Sequence, residues 1–343
     1  MKKKKWVAPV AFLLLVAVTV FVVSQQSKTF TAEGFLDYVA SVRTWGLAAA
    51  AVCMLCYILF EGLGLLTICR ALGYGQKWHR GVLYSAADIY FSAITPSATG
   101  GQPASALFMI GDGIPAAVTT VVLLLNLLFY TASIFAVLLL GLILYPGAFG
   151  LFSVPAHLLM IAGIIFQLVL IAGLLLLIFS EKIFLRIVNF FLHVGQKLCL
   201  VKTAEKRREK LLEMERDYRR SAAVVRSHLP SMLKALGFNV LQRICITAVP
   251  CMLFLAEGHS LREIGKVFAI QSWVIVGSNA VPLPGAVGVA DYLFLDGYGA
   301  LLSDPVNMEL LSRSISFYIC VLTCAIVLLI SFIRNRHQGS ETG

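Results

Sequence analysis

Charged residues are scarce in this chain. They make up 13% of its 343 residues, against about a quarter in an average soluble domain. Long polar stretches are also missing, because the longest segment without a long apolar run covers only residues 181–230. An ordinary soluble domain needs about 100 residues or more. These absences argue against a soluble enzyme and against catalysis by a separate soluble module.

Patterns typical of metal or redox sites are missing as well. The 6 histidines are scattered without ligand spacing, and most of the 8 cysteines lie inside apolar runs. Cys53 and Cys56 form a CxxC pair, but an isolated pair in an apolar helix is expected to act as two small hydrophobic side chains. We therefore expect no cofactor, no metal site and no catalytic residue.

Apolar sequence is abundant, with 59% hydrophobic residues and a mean hydropathy of +0.86. About six runs are long enough to cross the roughly 30 Å hydrocarbon core of a bilayer as helices. The predicted spans are Trp6–Val23, Trp45–Cys69, Ala116–Tyr145, His157–Phe179, Ser231–Ala256 and Met308–Ile333. The first run follows Lys2–Lys5, and an apolar run after basic residues is also the pattern of a signal peptide. Because Ser24–Ser27 does not form a cleavage site, we interpret the first run as an uncleaved span.

Two further apolar regions are interrupted. Gly81–Ile94 would be only about 21 Å long as a helix, and a break rich in Gly and Pro separates it from a short arm that ends at Ile110. Val267–Leu302 is broken at Pro282–Gly285. Each region is predicted to form a re-entrant hairpin. For the second region, two ordinary spans joined by a tight turn remain the alternative.

The distribution of basic residues orients the chain. The net charge of +10 comes mainly from residues beside apolar segments, which indicates retention on the cytoplasmic side rather than binding of nucleic acid. With both hairpins returning to the side they entered, both termini and the basic segment 182–226 face the cytoplasm, whereas Lys28 and Arg262 face outward. The hairpins then enter from opposite sides, an inverted arrangement that many secondary transporters use to build a substrate site.

The polar segment 181–229 is predicted to be cytoplasmic. Helical spacing of apolar residues over Glu181–Leu198 predicts an interfacial helix, and Thr203–Val225 is a helix dense in Lys, Arg and Glu. A solvated face that also touches anionic lipid is the favoured interpretation of the second helix, and a partner-binding helix is the alternative. Residues 1–343 are thus expected to form a single membrane domain.

Two motifs in the broken regions carry a family resemblance. Residues 94–103 read ITPSATGGQP and are followed by Gly111–Ile114, while residues 282–291 read PLPGAVGVAD. They resemble the TPxxxGGxP and PxPGxxGxxE signatures of the lysylphosphatidylglycerol synthase transmembrane family, which includes the flippase half of the multiple peptide resistance factors. Asp291 stands where this family usually carries Glu. The order and separation of the motifs match, and the resemblance covers nearly the whole chain.

The resemblance implies an all-α polytopic protein of the bacterial inner membrane that translocates a phospholipid or binds its headgroup. The lipid class would be anionic or aminoacylated, such as (lysyl-)phosphatidylglycerol, with a link to cationic peptide resistance. Full-length members append a soluble transferase domain. The residues after Ile333 could not form such a domain, so lysyltransferase activity is not expected here. A homo-oligomer or a separate synthase would be the protein partner. Alternatives are a membrane-embedded lipid-modifying transferase and a scaffold acting through Thr203–Val225.

The two motifs predict a substrate-binding site. Glycines permit tight turns, and Pro103 suits the first turn of a helix whose N-terminal amides would attract a phosphate or carboxylate at mid-membrane. Close packing of two helices is the alternative explanation. The predicted substrate-binding residues are Thr95, Pro96, Ser97, Gly100, Gly101, Gln102, Pro103, Pro282, Pro284, Gly285, Gly288, Asp291, Asp88, Arg243 and Arg313.

Ionisable residues inside the apolar segments are expected to pair. An unpaired charge near the bilayer centre costs on the order of 3 kcal/mol, and such residues usually face the bundle interior. From their depths, counted along the helices, we predict Arg243 with Glu61 or Asp88, and Arg313 with Asp291. These pairs either hold helices together or bind a lipid phosphate through the arginine.

Overall fold

The computed structural model describes residues 32–95, 99–179, 227–279, 288–303 and 305–340. The predicted span Trp6–Val23 and nearly all of the predicted cytoplasmic segment lie outside these ranges. Within them the chain is helical and has no strand. Its α-helices are α1 (Ala32–Ser41), α2 (Thr44–Ala71), α3 (Trp78–Ile94), α4 (Gly101–Gly111), α5 (Ala116–Leu144), α6 (Val154–Phe179), α7 (Leu229–Ala256), α8 (Ile264–Ser278), α9 (Val289–Tyr298), α10 (Val306–Arg313) and α11 (Cys320–Ser340).

Five of the described helices are long and apolar enough to cross a membrane. They are Thr44–Ala71, Ala116–Leu144, Val154–Ile178, Leu229–Ala256 and the continuous helix Val306–Arg334. Each coincides with a predicted span to within a few residues. Large apolar side chains on their outer faces are exposed, including Ile143, Val169 and Leu322. Lipid is the solvent that suits such faces, and the protein is a multi-pass membrane protein.

Helices α2 and α7 run antiparallel through the centre of the bundle. At one end the Arg43 amide donates to the Ala256 carbonyl at 3.3 Å, and a Cβ at Gly46 would overlap the Ala256 methyl group. Further along, Gln242 Nε2 donates to Glu61 Oε2 at 3.0 Å. Small residues let the two backbones approach this closely, which is how helices associate in lipid.

Helices α3 and α4 form the first hairpin. The start of α3 contacts the residue that follows α4, because Arg80 Nη1 lies 3.3 Å from Asp112 Oδ1 and the Tyr84 hydroxyl donates to Asp112 Oδ2 at 2.5 Å. The two arms therefore run antiparallel. Their 17 and 11 residues reach about 26 and 16 Å, so neither crosses the hydrocarbon core. The two short antiparallel arms agree with the predicted hairpin.

Helices α8 and α9 form the second hairpin. The Tyr298 hydroxyl, at the end of α9, donates to the Val267 carbonyl near the start of α8 at 3.4 Å. The arms contain 15 and 10 residues and reach about 22 and 15 Å. Two ordinary spans would each need about 20 residues. The described arms are each shorter than that and lie antiparallel, as the predicted hairpin requires.

The two hairpins enter the bundle from opposite ends. One follows the C-terminal end of α2 and the other follows the C-terminal end of α7, and these helices are antiparallel. The predicted inverted arrangement is thus confirmed. Each hairpin also packs against a long helix, α3 against α11 and α8 against α5.

Opposite ends of the bundle should be labelled from opposite sides of the membrane. We expect a membrane-impermeant maleimide to label Ser260→Cys in intact cells and Gly75→Cys only after disruption, in a cysteine-free background. Both residues are exposed, in the turns before α8 and α3 respectively, and Arg70 and Lys77 favour the cytoplasm for the second turn. Glu213→Cys tests the predicted cytoplasmic segment. External labelling of Gly75→Cys or Glu213→Cys would contradict this topology.

Candidate functional site

The larger of two neighbouring cavities, here the first cavity, lies beside the first hairpin. Its volume of about 480 Å³ is within the range of small-molecule sites. Helices α2, α3, α4 and α5 contribute most of its polar groups, and α11 closes one side. The polar side chains that line it include Tyr57, Glu61, Asp88, Ser92, Gln102, Asn126 and Tyr130.

Two carboxyl groups form the polar centre of the first cavity. Glu61 and Asp88 both line the cavity, and their side chains interact with each other electrostatically. Ser85 Oγ donates to Glu61 Oε2 at 3.2 Å, and Ser92 Oγ donates to Asp88 Oδ1 at 3.3 Å. Neighbouring donors on the same hairpin thus orient both acids.

The break in the first hairpin depends on close approach. A Cβ at Gly101 would lie 2.5 Å from the Asp88 carbonyl oxygen, and one at Gly100 would lie 2.9 Å from Thr95 Oγ1. Thr95 Oγ1 accepts from the Gly100 amide at 2.9 Å and donates to the Phe91 carbonyl at 2.5 Å. Gly100 has φ −86°, so the restriction there is space and not backbone conformation.

Carboxylates of the chain itself lie at the starts of both returning arms. Asp88 lies against Gly101 at the start of α4. At the start of α9, the Gly288 amide donates to Asp291 Oδ2 at 2.8 Å, and Gly288 has φ 87°, which favours glycine. The positive ends of these helix dipoles therefore already face negative groups.

Arg243 is buried between α2 and α5. Its Nη2 donates to the Tyr57 hydroxyl at 2.9 Å and its Nη1 to the Tyr130 hydroxyl at 3.2 Å, and its guanidinium lies 4.0 Å from the Tyr130 ring centre. Among the described residues Arg243 forms no ion pair, so the predicted direct contact with Glu61 or Asp88 is wrong. Glu61 still interacts with it electrostatically. The two tyrosines line the first cavity, and Arg243 lies behind them.

The second cavity, of about 180 Å³, lies beside the second hairpin. Arg313 lines it and forms an ion pair with Asp291, which confirms that predicted contact. Its Nε also donates to Glu309 Oε1 at 3.0 Å, and Glu309 lines the same cavity. All three side chains are buried. Glu309 was not predicted to belong to this site, although its position four residues before Arg313 is the spacing of a helical ion pair.

A common wall separates the two cavities. Ile246, Ser316 and Phe317 line both of them. Two of these residues belong to a π-helical segment, Ser314–Ile319, that joins α10 to α11. π-Helical turns occur frequently at functional sites.

The predicted binding residues are thus only partly brought together. Asp88 and Gln102 line the first cavity, and Arg313 lines the second with Asp291 in contact. Pro103 is exposed on the outer side of α4. Five of the predicted binding residues lie outside the described ranges: Pro96, Ser97, Pro282, Pro284 and Gly285. Tyr57 and Tyr130 were missed, since a tyrosine in an apolar run gives no distinct signal.

Comparison with known proteins identifies a family. Residues 6–324 match the family model described as the lysylphosphatidylglycerol synthase TM region. No curated protein and no solved structure matches the chain. The match covers both hairpins, four of the five long helices and residues 306–324 of the fifth.

The space at Gly101 should be intolerant of a side chain. We expect Gly101→Ala to lower the free energy of unfolding in detergent by about 1–3 kcal/mol, because overpacking displaces α4 from α3. Gly111→Ala on the same helix is the matched control, since its Cβ would meet no atom within 4 Å. Equal stability of the two variants in thermal unfolding would show that the hairpin arms are not in close contact.

The buried charges at the second hairpin should depend on Arg313. Arg313→Leu leaves Asp291 and Glu309 without their cation, and we expect a loss of about 3–5 kcal/mol in the free energy of unfolding. Glu309→Gln retains the Arg313 pair with Asp291 and should cost only about 1 kcal/mol. Denaturant unfolding of both variants in the same detergent is the measurement. A mild effect of Arg313→Leu would mean that water reaches the two carboxylates.

Proposed function

Because the chain belongs to the lysylphosphatidylglycerol synthase transmembrane family, we propose that it binds a phospholipid headgroup between its hairpins and moves it across the bacterial inner membrane. The family match indicates a lipid-related function in a membrane. The proposed lipid is anionic or aminoacylated, and both termini are proposed to face the cytoplasm. The proposal also includes a link to cationic peptide resistance and a homo-oligomer or a separate synthase as protein partner.

The observation that supports it most directly is the pair of polar cavities with one common wall. The first adjoins the hairpin from one end of the bundle, and the second adjoins the hairpin from the other end. A headgroup needs polar partners at each depth, because transfer of a charge into bare hydrocarbon is costly. Two sites in sequence on either side of Phe317 provide such partners, and opposed broken helices are a frequent basis for alternating access.

The charges of the cavities favour an amine-bearing headgroup. Glu61 and Asp88 line the first cavity, while Arg243 is separated from it by two tyrosines. An ammonium group has three N–H donors and can therefore donate to both carboxylates at once. In the second cavity the Arg313 guanidinium, which is also bound by Asp291 and Glu309, has the planar set of donors that suits a lipid phosphate. An aminoacylated phosphatidylglycerol carries both groups.

Reconstituted protein should move such a lipid between leaflets. We expect faster exchange of labelled lysyl-phosphatidylglycerol than of labelled phosphatidylglycerol in proteoliposomes, because only the first carries an ammonium group. Asp88→Asn should slow the exchange about tenfold, the effect of one lost charge-assisted hydrogen bond. Phe317→Trp should block passage of the headgroup between the two cavities, because it places a larger side chain at their common wall. Exchange is measured as accessibility of the label to an impermeant quencher.

Asp37→Asn is the matched control, since this aspartate lies exposed on α1, outside both cavities. It should exchange lipid at the wild-type rate. Wild-type protein that moves neither lipid would contradict the proposal, and chemical turnover of the lipid without movement would favour a membrane-embedded transferase. Unchanged exchange rates in Asp88→Asn and Phe317→Trp would mean that the protein moves lipid by a route that does not use these cavities.

A further inference from the structure

A third pocket, of about 130 Å³, lies in the groove between α3 and α11 and shares no lining residue with the two cavities. It is situated near the start of α3, about two turns from the first cavity along the same groove. Its lining side chains include His79, Arg80, Leu83, Val327, Ser331 and Arg334. Basic and hydroxyl groups thus surround a small apolar floor.

The pocket carries positive charge held in place. Arg80 pairs with Asp112 at 3.3 Å, which fixes one side of its guanidinium, and its side chain remains 29% exposed. Arg334 is exposed and forms no ion pair with any residue that the structure describes. The two guanidinium groups that line the pocket thus have one carboxylate partner between them among the described residues, the Asp112 that pairs with Arg80. Guanidinium binds phosphate through paired hydrogen bonds.

The surroundings of the pocket match the boundary between lipid headgroups and acyl chains. Trp78, next to His79, is 64% exposed, and tryptophan is enriched at membrane interfaces. On α11, Ile330 and Phe332 are exposed beside the pocket. A lipid at this position would place its phosphate on the arginines and its chains along the apolar face of α11.

We propose that this pocket binds the phosphate of an anionic phospholipid from the cytoplasmic leaflet, with Arg80 and Arg334 as its donors. The cytoplasmic assignment follows from the basic residues at this end of the bundle. The site is independent of translocation, because it requires only the pocket and its apolar surroundings. Its position in the α3–α11 groove places the bound lipid beside the first cavity.

Binding of short-chain lipids to the purified chain tests the site. We expect dioctanoyl-phosphatidylglycerol to bind more tightly than dioctanoyl-phosphatidylcholine, and the difference to shrink as salt increases. Arg334→Gln should weaken the first about fivefold, and Arg80→Gln with Arg334→Gln more than about tenfold. Dissociation constants in a neutral detergent are the measurement, with thermal unfolding to confirm that the variants fold.

Arg70→Gln is the matched control, because it removes the same charge at the same end of the bundle. Arg70 Nη2 donates to the Gln76 carbonyl at 3.3 Å and does not line the pocket. An equal loss in Arg70→Gln, or no loss in Arg334→Gln, would overturn the site. Displacement of the lipid by an equal concentration of inorganic phosphate would show a free-anion site and overturn the lipid assignment. If Arg80→Gln does not fold, Arg334→Gln alone decides the outcome.

Discussion

The antiparallel contact between α2 and α7 is the constraint on which the rest of the structure depends. Helices in lipid gain little from hydrophobic burial against each other, so close packing and interhelical hydrogen bonds hold them. Gly46 meets Ala256 at one end, and a Cβ at Gly64 would lie 3.1 Å from Asn239 Nδ2 towards the other. Because the hairpins follow opposite ends of this pair, their opposed directions and the two separate cavities result from it.

Broken helices at membrane depth require partners for their freed backbone groups. The Thr95 hydroxyl supplies one for the Gly100 amide, and Asp291 supplies one for the Gly288 amide. Asn279 Nδ2 donates to the Ile275 carbonyl at 2.7 Å in the second hairpin. Among the described residues, local side chains thus bond to backbone groups beside both breaks, and Glu61 and Asp88 in the first cavity are not needed for this.

Much of this fold could be predicted from the sequence, because bilayer thickness restricts helix length. The short arms of the first hairpin follow from run lengths, whereas for the second region two ordinary spans remained an alternative. The energetic cost of a buried charge pointed to the contact between Arg313 and Asp291. The prediction for Arg243 was wrong, because its hydrogen-bond partners are the neutral hydroxyls of Tyr57 and Tyr130 and not an acidic side chain. The cavity linings could not be predicted either, since they depend on which faces of distant helices meet.

The π-helical segment between α10 and α11 gives one continuous helix two angular phases. In a regular α-helix Arg313 and Cys320, about two turns apart, would share a face. A π turn holds roughly one extra residue, which corresponds to an offset of about 100°. Arg313 consequently lines the second cavity and Cys320 the first. The same continuous helix therefore contributes a cation to the second cavity and a thiol to the first.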